Sequence, residues 1–493
     1  MRPCNTKDIN VHNVNRIILF SILFLCLLNC SPEEISDDSV NLIITNDGNG
    51  TTDPVGTISV IIDTEIDISA TPFEGYHFLN WTITEGAIEF VTILDENIPD
   101  TKVILYSEDT TIQANFHIEE SLTIASSLHG NVYASKTGLV NHGEAIDITA
   151  TPDSGYYFVN WITSAGTGVS FDDLSAQDTT VCLTGGPATI KAIFNINPIT
   201  ETTGTVNFNL RFVSSGNYYV GENPPGIDNC NLTKSFWVAE TETTYELWYE
   251  VRYWAENTAS PLYTFANDGR EGNDGVDGAI PSLAQNEPVT NINWRDCIAW
   301  CNALSEKSGL TAVYYSDSGF TAPIRSVSDI SSFDETLGSE DNPYVQWNAN
   351  GYRLPTEAEW ESTARGGLLS KETGTYSAYI AGNTGDYQYI YVDQYLWYSQ
   401  ISNNSTHNVG EKTSNHLGLF DMSGNVFEWC WDFLGGSYPS ESIDPIGGSA
   451  TYSHIRRGGS YDFDITTCTV NYRNFIEVFT EWENTGFRFL RLD

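Results

Sequence analysis

IRRGGSYDFDITTCTVNYR, residues 455–473, opens on a basic, turn-forming run, passes through acids and hydroxyls, and closes on a single cysteine, Cys468. Such a stretch suits either an oxidative metal loop or a scaffold loop around a buried thiol. The rest of the chain has to separate the two.

At 493 residues and 40% hydrophobic composition the chain can bury two or more cores, so several domains are expected. Against 22 Lys and Arg stand 65 Asp and Glu, a net charge of −43. A field of that sign repels phosphate backbones, which excludes nucleic acid as a partner and favours hard cations with oxygen ligands.

Arg2, Lys7 and Arg16 precede the apolar run IILFSILFLCLL at 17–28, too short for a membrane span and fitting the core of an export signal. The run meets Asn29 and Cys30 and gives way to SPEEISDD. It resembles a bacterial lipoprotein signal, which implies cleavage before Cys30 and lipidation of that cysteine. Loss of Arg2, Lys7, Arg16 and Asp8 would take the charge from −43 to −45. The expected location is the bacterial cell envelope, facing periplasm or cell surface, with the membrane reached through the lipid anchor. Cys182, Cys230, Cys297, Cys301, Cys430 and Cys468 remain in a compartment where disulfides can form, and spacing leaves their pairing open.

An internal repeat is plain. IDISATPFEGYHFLNW at 66–81 recurs as IDITATPDSGYYFVNW at 146–161, and TIQANFHI at 111–118 as TIKAIFNI at 189–196. Alternating apolar residues, a Pro/Gly turn and a closing tryptophan predict two small β-sheet units packed around Trp81 and Trp161. The pattern resembles the divergent B-repeats of internalin-like surface proteins, which implies a spacer or adhesive stalk. The expected organisation is a signal at 1–30, a polar tether at 31–39, repeats at 40–118 and 119–197, a polar linker at 198–204 and a final domain at 205–493.

That final domain has few long helices. Apolar spacing predicts helices in TTYELWYEVRYWAEN (243–257) and in WRDCIAWCNALSEKSG (294–309), the second ended by Gly309. A third begins after Pro355, where Thr356 and Glu359 have capping-box spacing, and ends at Gly366 and Gly367. NDGREGNDGVDG at 267–278 reads as a solvated turn with a composition that could also bind calcium.

Five ordered segments, NEPVTNINWRDCIAWCNALSEKSGL, GYRLPTEAEWESTARGG, NVGEKTSNHLGLFDMSGNVFEWCWDF, RRGGSYDFDITTCTVNYRN and GFRFLR, resemble the formylglycine-generating enzyme, or sulfatase-modifying factor, family. The resemblance implies an α+β, C-type-lectin-like fold with little regular secondary structure. Active members oxidise a sulfatase cysteine to formylglycine with O₂ and copper(I) held by two thiolates. On that alignment the first ligand position falls on Phe463 and the second on Cys468, with Ser460 beside the reacting centre. Asp462 and Asp464 flank the lost position and are hard ligands, poorly suited to copper(I). If the domain is catalytic, Cys468 holds the metal and Ser460 orients the oxygen species. Cys297 and Cys301 share a helix face and read as core.

The family's structural calcium site falls on Asp421, Gly424, Val426 and Glu428, with Asp421 in place of an amide and Phe427 in place of a tryptophan. A second family calcium site offers only Asp393. The resulting expectation is an exported protein whose domain binds or assembles an unknown protein or glycan partner. The alternative is a formylglycine-generating oxidoreductase, and enzymatic status stays open. The related iron-dependent sulfoxide synthases need a His-x₃-His-x-Glu triad, which the eight histidines do not supply.

Overall fold

A computed structural model describes residues 39–221, 230–368, 370, 377, 380–382, 392–435 and 442–493. The signal, Cys30 and the tether up to residue 38 lie outside the described residues. Two compact units make up the chain: residues through Ser127 with Asn131–Thr151 and Asn160–Ala192, and a second containing Leu128–Gly130, Pro152–Val159 and Ile193–Asp493.

In the first unit the alternation seen in the sequence becomes strands. The strand Thr110–Ile124 runs antiparallel to Tyr76–Glu85 and parallel to Ser39–Asn46. Further along, the same strand pairs with Gly138–Asn141 of the second repeat. One face turns Leu42, Ile44, Ile68, Ile112 and Ala114 into a core against Trp81. Each repeat tryptophan is buried, and each indole N–H donates to a backbone carbonyl, Trp81 to Pro99 at 3.3 Å and Trp161 to Ala176 at 3.0 Å. A polar edge satisfied inside the core makes these tryptophans packing residues, with no face left as a ligand platform.

Among the described residues the second unit is built on three α-helices, a five-stranded and a four-stranded sheet, and three smaller sheets. Helix α1 (Tyr245–Asn257) starts at Thr244, whose hydroxyl accepts from Leu247 N. Helix α2 (Trp294–Lys307) carries a capping box between Asn293 and Asp296, and the chain leaves it through Gly309 at φ +71°. Helix α3 (Glu357–Ala364) has the Thr356/Glu359 capping box expected from its sequence. Trp248 and Trp300 stack at 6.0 Å between α1 and α2, with Phe487 edge-on to both.

One sheet has the order Ile199–Thr203, Val206–Val213, Phe236–Ala239, Leu490–Leu492, Tyr352–Arg353. Its first strand corrects the reading of 198–204 as a linker. Ile199, Thr200, Thr202 and Thr203 are β-branched and suit a strand, and Glu201 pairs with Arg491 at 2.9 Å. The segment reads as polar because its outward face is polar. A four-stranded sheet, Asn474–Glu477, Ser453–Arg457, Phe427–Phe433, Thr485–Gly486, carries the loop 455–473.

Candidate functional site

The strand Ser453–Arg457 opposes Phe427–Phe433, placing Arg457 across from Glu428 and Arg456 across from Trp429. Beyond it the backbone turns through Gly458 and Gly459, both at positive φ. A Cβ on Gly459 would stand 2.5 Å from Cys468 Sγ, so only glycine lets the turn close onto the cysteine. Ser460 is buried and its hydroxyl donates to Asp462 Oδ1 at 2.7 Å. Asp464 caps the short turn Ile465–Thr467 by accepting from Thr466 N at 3.0 Å, and Cys468 follows.

Cys468 is fully buried among Ile380, Val392, Leu396 and Tyr398, with Ser460 O at 3.8 Å from its sulfur. Burial pushes its thiol up to about 12. Enclosure among apolar side chains disfavours the thiolate that a copper ligand has to be. Phe463 packs edge-on against Phe427 with ring centres 5.1 Å apart. Cys297 and Cys301 lie in the α1/α2 core and Cys430 in a different cluster from Cys468. Cys230, Cys297, Cys301, Cys430 and Cys468 are free thiols. One enclosed thiol with no second cysteine in its cluster does not fit a copper(I) centre held by two thiolates.

The four residues aligned with a calcium site sit in one turn and strand. Asp421 adopts φ +55°; its Oδ2 accepts from Gly410 N at 2.7 Å, and its Oδ1 is enclosed without a hydrogen-bond partner. Burial pushes its carboxyl up to about 6. Gly424 is required because a Cβ there would lie 2.1 Å from Trp397 O. Val426 N donates to Glu242 Oε1 at 3.0 Å. Glu428 is committed elsewhere: Arg488 grips both its oxygens at 2.6 Å, and Trp360 Nε1 donates to Oε2 at 2.6 Å. Of the two carboxylates, Asp421 keeps one oxygen without a partner among the described residues, while both oxygens of Glu428 are taken. Among the described residues no group of three or more His, Cys, Asp and Glu stands ready to hold a metal. In the loop 267–278, Asp268 pairs with Arg252 and Asp277 with Arg270 at 2.9 Å, so those carboxylates tie the turn down.

Sequence reasoning passed over Glu242, Arg456 and Arg488. Glu242 is fully enclosed, with Asn425 Nδ2 on Oε2 at 2.7 Å, and burial together with the charges of Asp421 and Glu428 raises its carboxyl well above the usual range. Nothing in its local sequence marks it, because its partners lie over 180 residues away. Arg488 stands inside the terminal GFRFLR, where the motif was visible and its partner was not.

Few helices, several short sheets and a glycine-turned loop are the frame of this domain. The model of the sulfatase-modifying factor enzyme 1-like domain matches residues 177–492, and the chain belongs to that family. The divergent InlB B-repeat model matches 40–120 and 121–198. The chain is similar to the chaperone protein LppX of Paenibacillus barcinonensis, 28% identical over 288 residues, 55% of this chain and 85% of that protein. It is 34% identical over 149 residues to the formylglycine-generating enzyme of Streptomyces coelicolor, 29% of this chain and 44% of the enzyme. It thus spans less than half of that enzyme's length. Among solved structures, Treponema denticola variable protein 1 aligns with a TM-score of 0.47 at 29% identity over 60% of this chain and 99% of its own.

Proposed function

We propose that the protein is an envelope lipoprotein, anchored through Cys30, whose C-terminal domain keeps the sulfatase-modifying-factor framework as a binding or assembly module and has given up the oxidase chemistry. The observation that carries this reading is Cys468 itself: enclosed among apolar side chains with no second cysteine in its cluster, while Phe463 stands at the position of the first ligand. The relative named a chaperone protein, 85% of which aligns with this chain, supports an assembly role. Kinship of the domain to C-type lectins, and a protein or glycan as the thing bound, belong to the same proposal. So does a structural calcium held by Asp421 with backbone oxygens of Gly424 and Val426, for which the partnerless Asp421 Oδ1 is the support.

The test is metal content and thiol state of the purified full chain before and after exposure to copper(I), alongside incubation of a Cys-x-Pro-x-Arg peptide with O₂. The expected result is no stoichiometric copper, a Cys468 unreactive in the native protein, and an unchanged peptide. Stoichiometric copper that disappears in Cys468→Ala, together with aldehyde formation on the peptide, would overturn the proposal in favour of the oxidase.

A further inference from the structure

Arginine is almost always neutralised among the described residues. Among the described residues, Arg211, Arg252, Arg270, Arg295, Arg325, Arg353, Arg365, Arg457, Arg473, Arg488 and Arg491 each lie within 4 Å of a carboxylate oxygen. Arg456 does not, although it is only 4% exposed. A buried guanidinium without a carboxylate in contact is costly, Asp462 acting on it only from further off, and the fold holds it there all the same. The cost is visible in its acidity, which burial brings down to about 10.

Its surroundings fix its plane and leave one end open. Nε donates to Asn474 Oδ1 at 2.9 Å, and Nη1 donates to Asn484 Oδ1 at 3.2 Å and Thr485 Oγ1 at 2.5 Å. Nη2 has no partner among the described residues and is not among the enclosed unsatisfied atoms, so it keeps contact with solvent. The Phe427 ring lies 4.2 Å from the guanidinium carbon and the Trp482 ring 5.4 Å from it. Trp482 is 44% exposed, an indole at the mouth of a buried charge. The nearest acid, Asp462, is engaged: Ser460 Oγ donates to its Oδ1 and Asn484 Nδ2 reaches both its oxygens, at 3.2 and 3.1 Å.

We infer that Arg456, with Phe427 and Trp482 beside it and Asn474, Asn484 and Thr485 holding it flat, is a receptor for a single carboxylate carried on an apolar or aromatic body. A planar guanidinium with free N–H donors matches a carboxylate in charge and geometry, and a half-exposed indole offers stacking area to whatever carries it. The chain's net negative field opposes anions only over distances that salt screens, about 8 Å at physiological strength. The guanidinium acts at contact range. This site stands beside the loop that in the oxidase family holds copper, and it rests on reading that loop as a binding surface. The copper assay above reports on that reading independently.

The experiment is titration of the full chain with benzoate, with benzamide as the uncharged counterpart and glucuronate as an acidic sugar, followed by tryptophan fluorescence and calorimetry. Saturable benzoate binding is expected, with none for benzamide, at least a tenfold loss of affinity in Arg456→Gln and a several-fold loss in Trp482→Ala. Glucuronate binding as tightly as benzoate and equally dependent on Arg456 would support the receptor and make the carrier a sugar. If Arg456→Gln fails to fold, the exposed Trp482→Ala decides: lost affinity supports the site, unchanged affinity overturns it. Failure of both acids to bind, or binding unchanged in a folded Arg456→Gln, would overturn it as well.

Discussion

The loop at Cys468 depends on contacts of single atoms. Gly459→Ala would set a methyl group against Cys468 Sγ and Cα at 2.5 and 2.6 Å with φ at +78°, so both strain and overlap oppose it. A loss of about 2–4 kcal/mol is expected, from overpacking plus the left-handed backbone, measurable by urea denaturation. His454 gives a pH signature of its own. It stacks on Trp294 at 3.9 Å, its Nδ1–H donates to Trp431 O at 2.7 Å, and burial takes it from 6.5 to about 3. Because the folded state disfavours the imidazolium, its contribution is complete above the unfolded value of 6.5 and is lost as pH falls from there toward 3. Between pH 7.5 and pH 5 this one residue should remove about 2 kcal/mol, and His454→Gln should flatten the difference between the two pH values by that amount. An unaltered slope in the variant would mean that the ring is hydrated in solution. At this scale the sequence showed which residues occupy the loop. It did not show that the thiol is enclosed, because the enclosing Ile380, Val392, Leu396 and Tyr398 come from a distant segment.

Helix α3 shows how local and distant terms compare within one element. Thr356 supplies the cap, and Thr356→Ala should cost about 1 kcal/mol. Glu361, near its end, is fully buried and takes Arg365 on one oxygen at 2.8 Å and Arg457 on the other, with Gly221 N also on the first at 2.8 Å. Glu361→Gln takes the shared carboxylate from two buried guanidinium groups, leaving Arg457 with Glu357 at 3.5 Å, so a loss of about 3–5 kcal/mol is expected in the same denaturation experiment. The two substitutions sit within two turns of each other, and a difference in that order would place the helix's stability in its tertiary partners. Equal losses would contradict the buried network. The same division decided what could be read in advance. Helix spans, caps and the repeat tryptophans follow short-range rules of spacing, and the sequence displayed them. The strand Ile199–Thr203 was hidden by its polar face, and the grip of Arg488 on Glu428 spans sixty residues that no local pattern connects. That grip is what leaves Asp421 alone to offer a free carboxylate oxygen.

For the whole molecule, a charge of −43 makes two different effects of calcium easy to confuse. Any cation screens self-repulsion among 65 acids and stabilises the compact chain, an effect that follows ionic strength and is indifferent to the ion's chemistry. A site at Asp421 acts by linkage: an ion bound only by the folded state adds about 2.7 kcal/mol at a concentration one hundred times its dissociation constant. Thermal unfolding in calcium chloride, magnesium chloride and sodium chloride at matched ionic strength separates them. The expectation is an upward shift in calcium beyond that in the other two salts, abolished by chelation and by Asp421→Ala. Asp421→Asn should retain much of it, since an amide oxygen still serves a calcium ion. The Asp421 carboxyl titrates at about 6, so the calcium-specific part should shrink below that pH as the oxygen is protonated, while screening persists. Three salts giving one common curve would make Asp421 a buried acid without a metal. The stabilisation of so acidic a chain would then rest on screening alone.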